Sequence, residues 1–248
     1  MKKLLGIILV AITLNSFSQS FEGTLTYVVD LELSEKFQEK GIDKETFLNQ
    51  MKKKGTWSDT LKITYKGGNY YTSLNNGEAC LIYLSSLNKM YSMMLVGERS
   101  DICGLIDASA DAQYLMSGKK PKIEKLDSQV VINGINCNIV RVEWETGIYD
   151  YYYNSSIFAV NPSLFEKHIY DAWSQFLEIS KALPIQIVKT IGDFEETLTM
   201  TTTQTLIFSE EKSVDDNLFV VPKLVKDKKI YVNLWGTEIM RVKKNKRK

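Results

Sequence analysis

A single histidine, His168, is all the imidazole this 248-residue chain possesses, and that scarcity removes whole classes of chemistry. Zinc and other imidazole-rich centres need several such ligands converging on one point. A Ser-His-Asp arrangement needs only one, but no G-x-S-x-G elbow accompanies it. His168 falls on the polar side of a helical pattern, where an ordinary surface or helix-packing role is expected. Long apolar runs are missing as well. The most apolar stretch, Leu4–Leu14, has 11 residues, against the roughly 18 that a spanning helix requires. Glycines do not gather between a strand and a helix, and Gly67-Gly68 sits inside a hairpin pattern, so phosphate cradling has no support. No catalytic residue, metal site or cofactor is assigned, and a non-enzymatic role is expected.

Cysteine is sparse too. Cys80, Cys103 and Cys137 match no metal-binding spacing and have no histidine near them in sequence. In an oxidising compartment an odd count implies one bridge and one spare thiol. Cys103–Cys137 is the favoured pair, since Cys103 lies in a polar, glycine-containing segment free to approach a partner. The other reading is three small, buried, unbonded residues.

Charge of one sign is absent overall, with a net of +1, but it is unevenly spread. Lys2 and Lys3 account for two positive charges and Lys243, Lys244, Lys246, Arg247 and Lys248 for five more, leaving −6 for the rest. The body is mildly acidic, and residues 241–248 form a basic tail, read as a solvated terminus or an attractor of anionic headgroups. Lys2-Lys3, the apolar Leu4–Leu14 and the small polar residues 15–20 follow the layout of a secretory signal. Cleavage is expected after Ser18, or else Ser20, which would leave residues 19–240 as one β-rich domain without a transmembrane segment.

Period-two alternation dominates that domain. Phe21, Gly23, Leu25, Tyr27, Val29, Leu31 and Leu33 share one parity, the mark of an antiparallel strand with one buried face. Two short helices follow, around Glu35–Glu39 and after Asp43, which can cap a helix carrying Phe47, Leu48 and Met51. From Thr60 to Leu95 short runs separated by Gly67-Gly68-Asn69, Asn75-Asn76-Gly77 and Ser85–Asn88 predict a meander of hairpins. Arg99–Lys120 reads as a long loop with one helical turn. Strands are expected over 122–132, 136–146 and 149–153, then one helix over 164–179, then strands over 183–191 and 195–209. Ile230–Trp235 reads as an edge strand. No fixed-period repeat or linker divides the body.

Other motifs are weaker. Asp107-Ala-Ser-Ala-Asp111 begins like a calcium loop but has Ala112 and Gly118 where that loop needs glycine and glutamate. Glu143 and Glu145, Glu195-Glu196 and Asp215-Asp216 are acidic pairs whose separation across a site sequence does not give. Tyr149, Tyr151 and Tyr153 share a strand face that suits core or cross-strand packing, the alternative being a grip on sugars or acyl chains.

A set of short motifs then acquires meaning together: Phe21-Glu22-Gly23-Thr24, Gly134-Ile135-Asn136-Cys137, Ala182-Leu183-Pro184-Ile185 and Asp216-Asn217-Leu218-Phe219-Val220-Val221-Pro222. With this order of elements, the chain resembles a family of exported Gram-negative proteins, a domain of unknown function related to the lipoprotein-carrier (LolA-like) superfamily. The resemblance implies a mainly β, α+β fold: a curved antiparallel sheet or incomplete β-barrel with helical insertions on its concave face. It implies a concavity that binds acyl chains, of a lipid or a lipoprotein, and a periplasmic, outer-envelope or extracellular location. The chain departs from that pattern by insertions around 34–55 and 162–182. Inward parity nominates Leu25, Tyr27, Leu61, Ile63, Leu198 and Met200 as lining, with Phe47 and Trp173 as a helix-borne gate. The rival reading is a structural or interaction module that meets an envelope protein partner, its concavity filled by its own helices. Nucleic acid is not expected as a partner.

The leader carries the first test: N-terminal analysis of envelope-located protein should begin at Gln19 or Phe21, and an intact Met1 there would refute export with cleavage.

Overall fold

A computed structural model describes residues 20–54, 57–226 and 237–243. Thirteen strands form one antiparallel sheet that does not close into a barrel among these residues. In chain order they are β1 (Gly23–Leu33), β2 (Thr60–Lys66), β3 (Asn69–Leu74), β4 (Ala79–Leu84), β5 (Lys89–Met94), β6 (Ile102–Asp107), β7 (Lys122–Ile132), β8 (Ile135–Trp144), β9 (Gly147–Tyr153), β10 (Gln186–Asp193), β11 (Leu198–Glu211), β12 (Leu224–Lys226) and β13 (Thr237–Val242). Their spatial order is β12-β13-β6-β5-β4-β3-β2-β1-β11-β10-β9-β8-β7. The long first strand therefore sits in the middle, paired with β2 on one side and with the distant β11 on the other.

The sheet is strongly curved. Met90 on β5 and Tyr151 on β9 line the same cavity, yet they lie seven places apart in strand order. In a flat sheet that separation is roughly 34 Å. Part of the bend comes from a bulge in the β1–β11 ladder, where Thr26 pairs with Phe208 but Tyr27 pairs with Leu206. Ile207 is the extra residue, and such insertions increase local twist. Gly23 opens β1 where only glycine fits: its φ is +152°, and a Cβ would stand 2.2 Å from the Glu210 carbonyl oxygen.

Two apolar clusters follow from the pleat. The larger occupies the concave face, with Leu25, Tyr27, Tyr83, Val140, Tyr151 and Leu206 packed against Phe176 and Leu177. The smaller lies on the opposite face, where Cys80, Ile82, Tyr91, Met93 and Cys103 are covered by Val221 and Leu224. Strand β4 is covered on both faces, which accounts for its nearly unbroken apolar sequence Ala79–Leu84.

The helices depart most from expectation. Helices α1 (Glu35–Glu39) and α2 (Lys44–Lys53) bury no residue, although Asp43 caps α2 as read from the sequence, accepting from the Thr46 amide at 2.8 Å. The expected loop 99–120 has its helical turn, α3 (Ala112–Ser117), but also contains strand β6. Strand β6 escaped notice because it is short and carries Gly104, and its partners β5 and β13 confer its order. The single helix expected over 164–179 is broken into 3-10 turns at Pro162–Phe165 and Tyr170–Ala172, followed by α4 (Trp173–Ser180). Both Asp171 and Ala172 are left-handed, at φ 57° and 54°. The helical ladder is diverted there: the amides of Ile169 and Tyr170 donate to the Ala108 carbonyl, and that of Asp171 to an Asp111 carboxylate oxygen at 2.6 Å.

The Cys103–Cys137 bridge is overturned. Cys103 on β6 and Cys137 on β8 stand nine strand positions apart and belong to different clusters. Cys80 and Cys103 are nearer, each opposite Met93, but two strand spacings put their Cα atoms about 10 Å apart, beyond bridging reach. All three are free and buried. The basic tail also begins later than expected, since Arg241 and Val242 belong to β13 and Arg241 donates to Asp101 at 2.6 Å. The signal segment, the Ile230–Trp235 strand and residues 244–248 lie outside the described residues.

Burial raises the pKa of each thiol, that of Cys103 to about 12, with Cys80 adding to the effect. Denatured, unreduced protein should therefore titrate three thiols, while folded protein reacts slowly with a thiol reagent. Fewer than three after denaturation would contradict this arrangement.

Candidate functional site

Helix α4 covers only part of the concave face. Phe176 stacks on Tyr151 with ring centroids 4.5 Å apart, and Tyr153 meets it edge-on, so the β8–β9 side is filled. Toward β1–β5 a cavity of about 230 Å³ remains. Its wall is mostly aromatic and aliphatic: Tyr27, Leu61, Ile63, Tyr65, Tyr70 and Trp173 are representative. Leu61, Leu74 and Gln204 also line a second space of about 480 Å³, reached past Val29, Met51 and Trp57. The two spaces adjoin across these shared residues, and the second is termed the vestibule.

Polar groups are few and grouped. His168 Nε2 lies 2.9 Å from the Tyr70 hydroxyl, and the imidazole stacks against both Tyr70 and Tyr83. Burial drives its pKa down to about 4, against a weaker opposing pull from the Asp171 carboxylate. The Tyr27 hydroxyl donates to the Pro184 carbonyl and that of Tyr151 to the Asp171 carbonyl. Lys189 donates to Asp171 Oδ2 and rests 4.9 Å above the Tyr149 ring. Asp111, 2 % exposed, receives the Gln113 and Asp171 amides, and burial followed by the neighbouring Asp171 charge raises its pKa. Trp173 Nε1 and His168 Nδ1 are buried without a hydrogen-bond partner.

The structure places four of the nominated residues on the cavity wall, namely Tyr27, Leu61, Ile63 and Trp173. Leu25 has the right parity but is sealed in the core at 0 % exposure. Leu198 and Met200 share the inward face yet sit at the far end of β11, opposite Leu33 for Met200, away from the hollow. Phe47 is no gate, since it packs edge-on against Phe37; Met51, one helical turn later, reaches the vestibule instead. His168 is not a surface residue, at 2 % exposure.

Sequence reasoning missed Tyr65, Tyr70, Tyr170, Asp171, Lys189 and Gln204. The parity of Tyr65 and Lys189 on their strands was readable, but no sequence signal brings Asp171 to Lys189. The calcium-like motif dissolves into local turn chemistry: Asp107 accepts from the Ser109 amide and hydroxyl, and Asp111 caps α3. None of the acidic pairs lines the hollow. Among the described residues, no group of three potential metal ligands converges.

No family model matches the sequence, and no curated protein matches it. A solved structure titled "Structure of PNGF-II in C2 space group" aligns at a TM-score of 0.40 and 8 % identity, over 79 % of this chain and 29 % of that one. The chain thus spans less than a third of that structure's length, and at this TM-score the likeness carries no argument.

His168 supplies a test with a built-in assignment, since no other imidazole exists in the chain. A folded pKa of about 4 below an unfolded value near 6.5 means that the unfolded state takes up the proton first. Stability is therefore unaffected above about pH 6.5 and falls as pH drops toward 4, by roughly 3 kcal/mol at the lower end. The imidazole resonances should stay in the neutral position through pH 5, and His168→Phe should flatten the stability slope in that window relative to wild type.

Proposed function

We propose that this chain is an exported envelope protein that binds a hydrophobic ligand in the concave hollow, without carrying out chemistry on it. The observation that carries this reading is the unfilled part of the concavity. An apolar space of about 230 Å³ is larger than the engineered cavity of about 150 Å³ that admits benzene. The vestibule adjoins it across Leu61, Leu74 and Gln204. Each acyl methylene transferred there from water is worth about 0.8 kcal/mol, so a chain of about ten carbons offsets its ordering costs.

The orphaned Trp173 Nε1 and His168 Nδ1 are closed off from the hollow as well as from solvent, as is Trp144 Nε1 outside it, so the support for a guest is the open space itself. The resemblance to lipoprotein-carrier proteins points to acyl chains as guests and to the cell envelope as the place. The early basic-apolar-polar segment is the support for export. Binding without catalysis is favoured because the one imidazole is neutral, deeply buried and engaged with Tyr70.

The filled β8–β9 side keeps the interaction-module reading in play, and the two readings separate on occupancy. Delipidated protein should enhance the emission of a neutral naphthylamine dye, and medium-chain guests should displace it. Leu61→Trp places a ring in the neck between cavity and vestibule. It should weaken dye binding about tenfold or more while leaving the unfolding midpoint within a few degrees. A dye that never binds, or binds the variant equally well, would remove the ligand-binding reading.

A further inference from the structure

Which end group the hollow prefers is written in its electrostatics, on the reading that it binds an apolar guest at all. We infer that the hollow takes amphiphiles with a cationic head, an ammonium or quaternary ammonium group, in preference to a carboxylate. Asp171 is the focus. Its left-handed backbone, at φ 57°, turns it out of the helical path and onto the cavity wall. Its amide and carbonyl are both engaged, by Asp111 and by the Tyr151 hydroxyl. Of its carboxylate oxygens, Oδ2 receives Lys189 while Oδ1 has no protein partner among the described residues. The Asp171 side chain is one-third exposed and lines the cavity.

The local charge balance favours a cation. Asp111 and Asp171 are held together by the 2.6 Å contact between the Asp171 amide and the Asp111 carboxylate, and among the described residues Lys189 is the single cation on the wall. His168 is neutral at ordinary pH. Asp171 contributes to raising the phenol pKa values of Tyr70, Tyr149, Tyr151 and Tyr170, in each case after the larger effect of burial. A carboxylate head would meet that same field, and the only ammonium available to it is already shared by Asp171 and the Tyr149 ring.

Aromatic faces complete the site. Tyr70, Tyr151, Tyr170 and Trp173 lie around Asp171 on the cavity wall. Their ring quadrupoles attract organic cations, most strongly where water is excluded. The apolar tail of the guest would extend along Ile63 and Leu61 into the vestibule. A cation and a chain thus find complementary ends of one hollow.

Three probes with one tail and different heads test this: decyltrimethylammonium, decanol and decanoate, titrated into delipidated full-length protein below their micellar concentrations. The cation should bind about tenfold tighter than the alcohol, and decanoate more weakly than either. Asp171→Asn, a residue that tolerates the left-handed conformation, should reduce the cation's advantage to within about twofold and leave decanol unchanged. If decanoate binds as tightly as the cation in wild-type protein, the head-group inference is wrong while the binding reading stands. If none of the three binds, the binding reading itself fails. The wild-type series decides the matter even if the variant does not fold.

Discussion

The backbone amide of Asp171, donated to the Asp111 carboxylate at 2.6 Å, sets the shape of the concave face. Residues 164–179 carry a helical apolar stripe, and left to local preference they would continue as one rod. Instead Ala108 and Asp111, at the end of β6, take the amides that such a helix would use internally. Two consecutive left-handed residues result, each disfavoured by about 1–2 kcal/mol for a residue with a Cβ. Ala172 is the more telling of the two, because it has no side chain to stabilise that conformation and is wholly buried. The shortened α4 can then plug one side of the curved sheet and leave the other unfilled.

That division organises the molecule's energetics. On the plugged side Phe176, Leu177 and the Tyr151 and Tyr153 rings form a dry, closely packed core. On the open side the same sheet presents Tyr65, Tyr70 and Leu61 to a space that the chain does not occupy. Leaving apolar wall without contacts forgoes dispersion energy, and placing a half-buried carboxylate and a buried imidazole nearby requires compensation. The protein supplies it by keeping His168 neutral and by pairing Asp171 with Lys189. The cost is local, and it coincides with left-handed backbone at Asp171, on the cavity wall, and at the adjoining Ala172. Strain held in place by its surroundings is what functional sites tend to show.

Much of the scaffold was legible in the amino-acid order, because strand periodicity and turn chemistry are local properties. The parity of Leu25, Tyr27 and Leu31, the Gly67-Gly68 turn and the Asp43 cap each depend on neighbours within a few residues. Strand β6 and the split helix did not show, since each depends on partners far away: β13 for the first, Ala108 and Asp111 for the second. The cysteine pairing failed for a related reason. Spacing along the chain says nothing about the eight strands that lie between the two.

By itself, then, the sequence determined that this is a mainly antiparallel β protein and that its inner face is rich in tyrosine and aliphatic residues. A period of two fixes which side chains share a face whatever the sheet's final curvature. Only the tertiary structure decided where along each strand that face meets open space, so that Ile63 lines a cavity while Leu25, of the same parity, is sealed. It also decided that Asp171 faces Lys189 from across 18 residues of chain. Those outcomes depend on curvature and on long-range hydrogen bonds, and neither is encoded in any short window of residues.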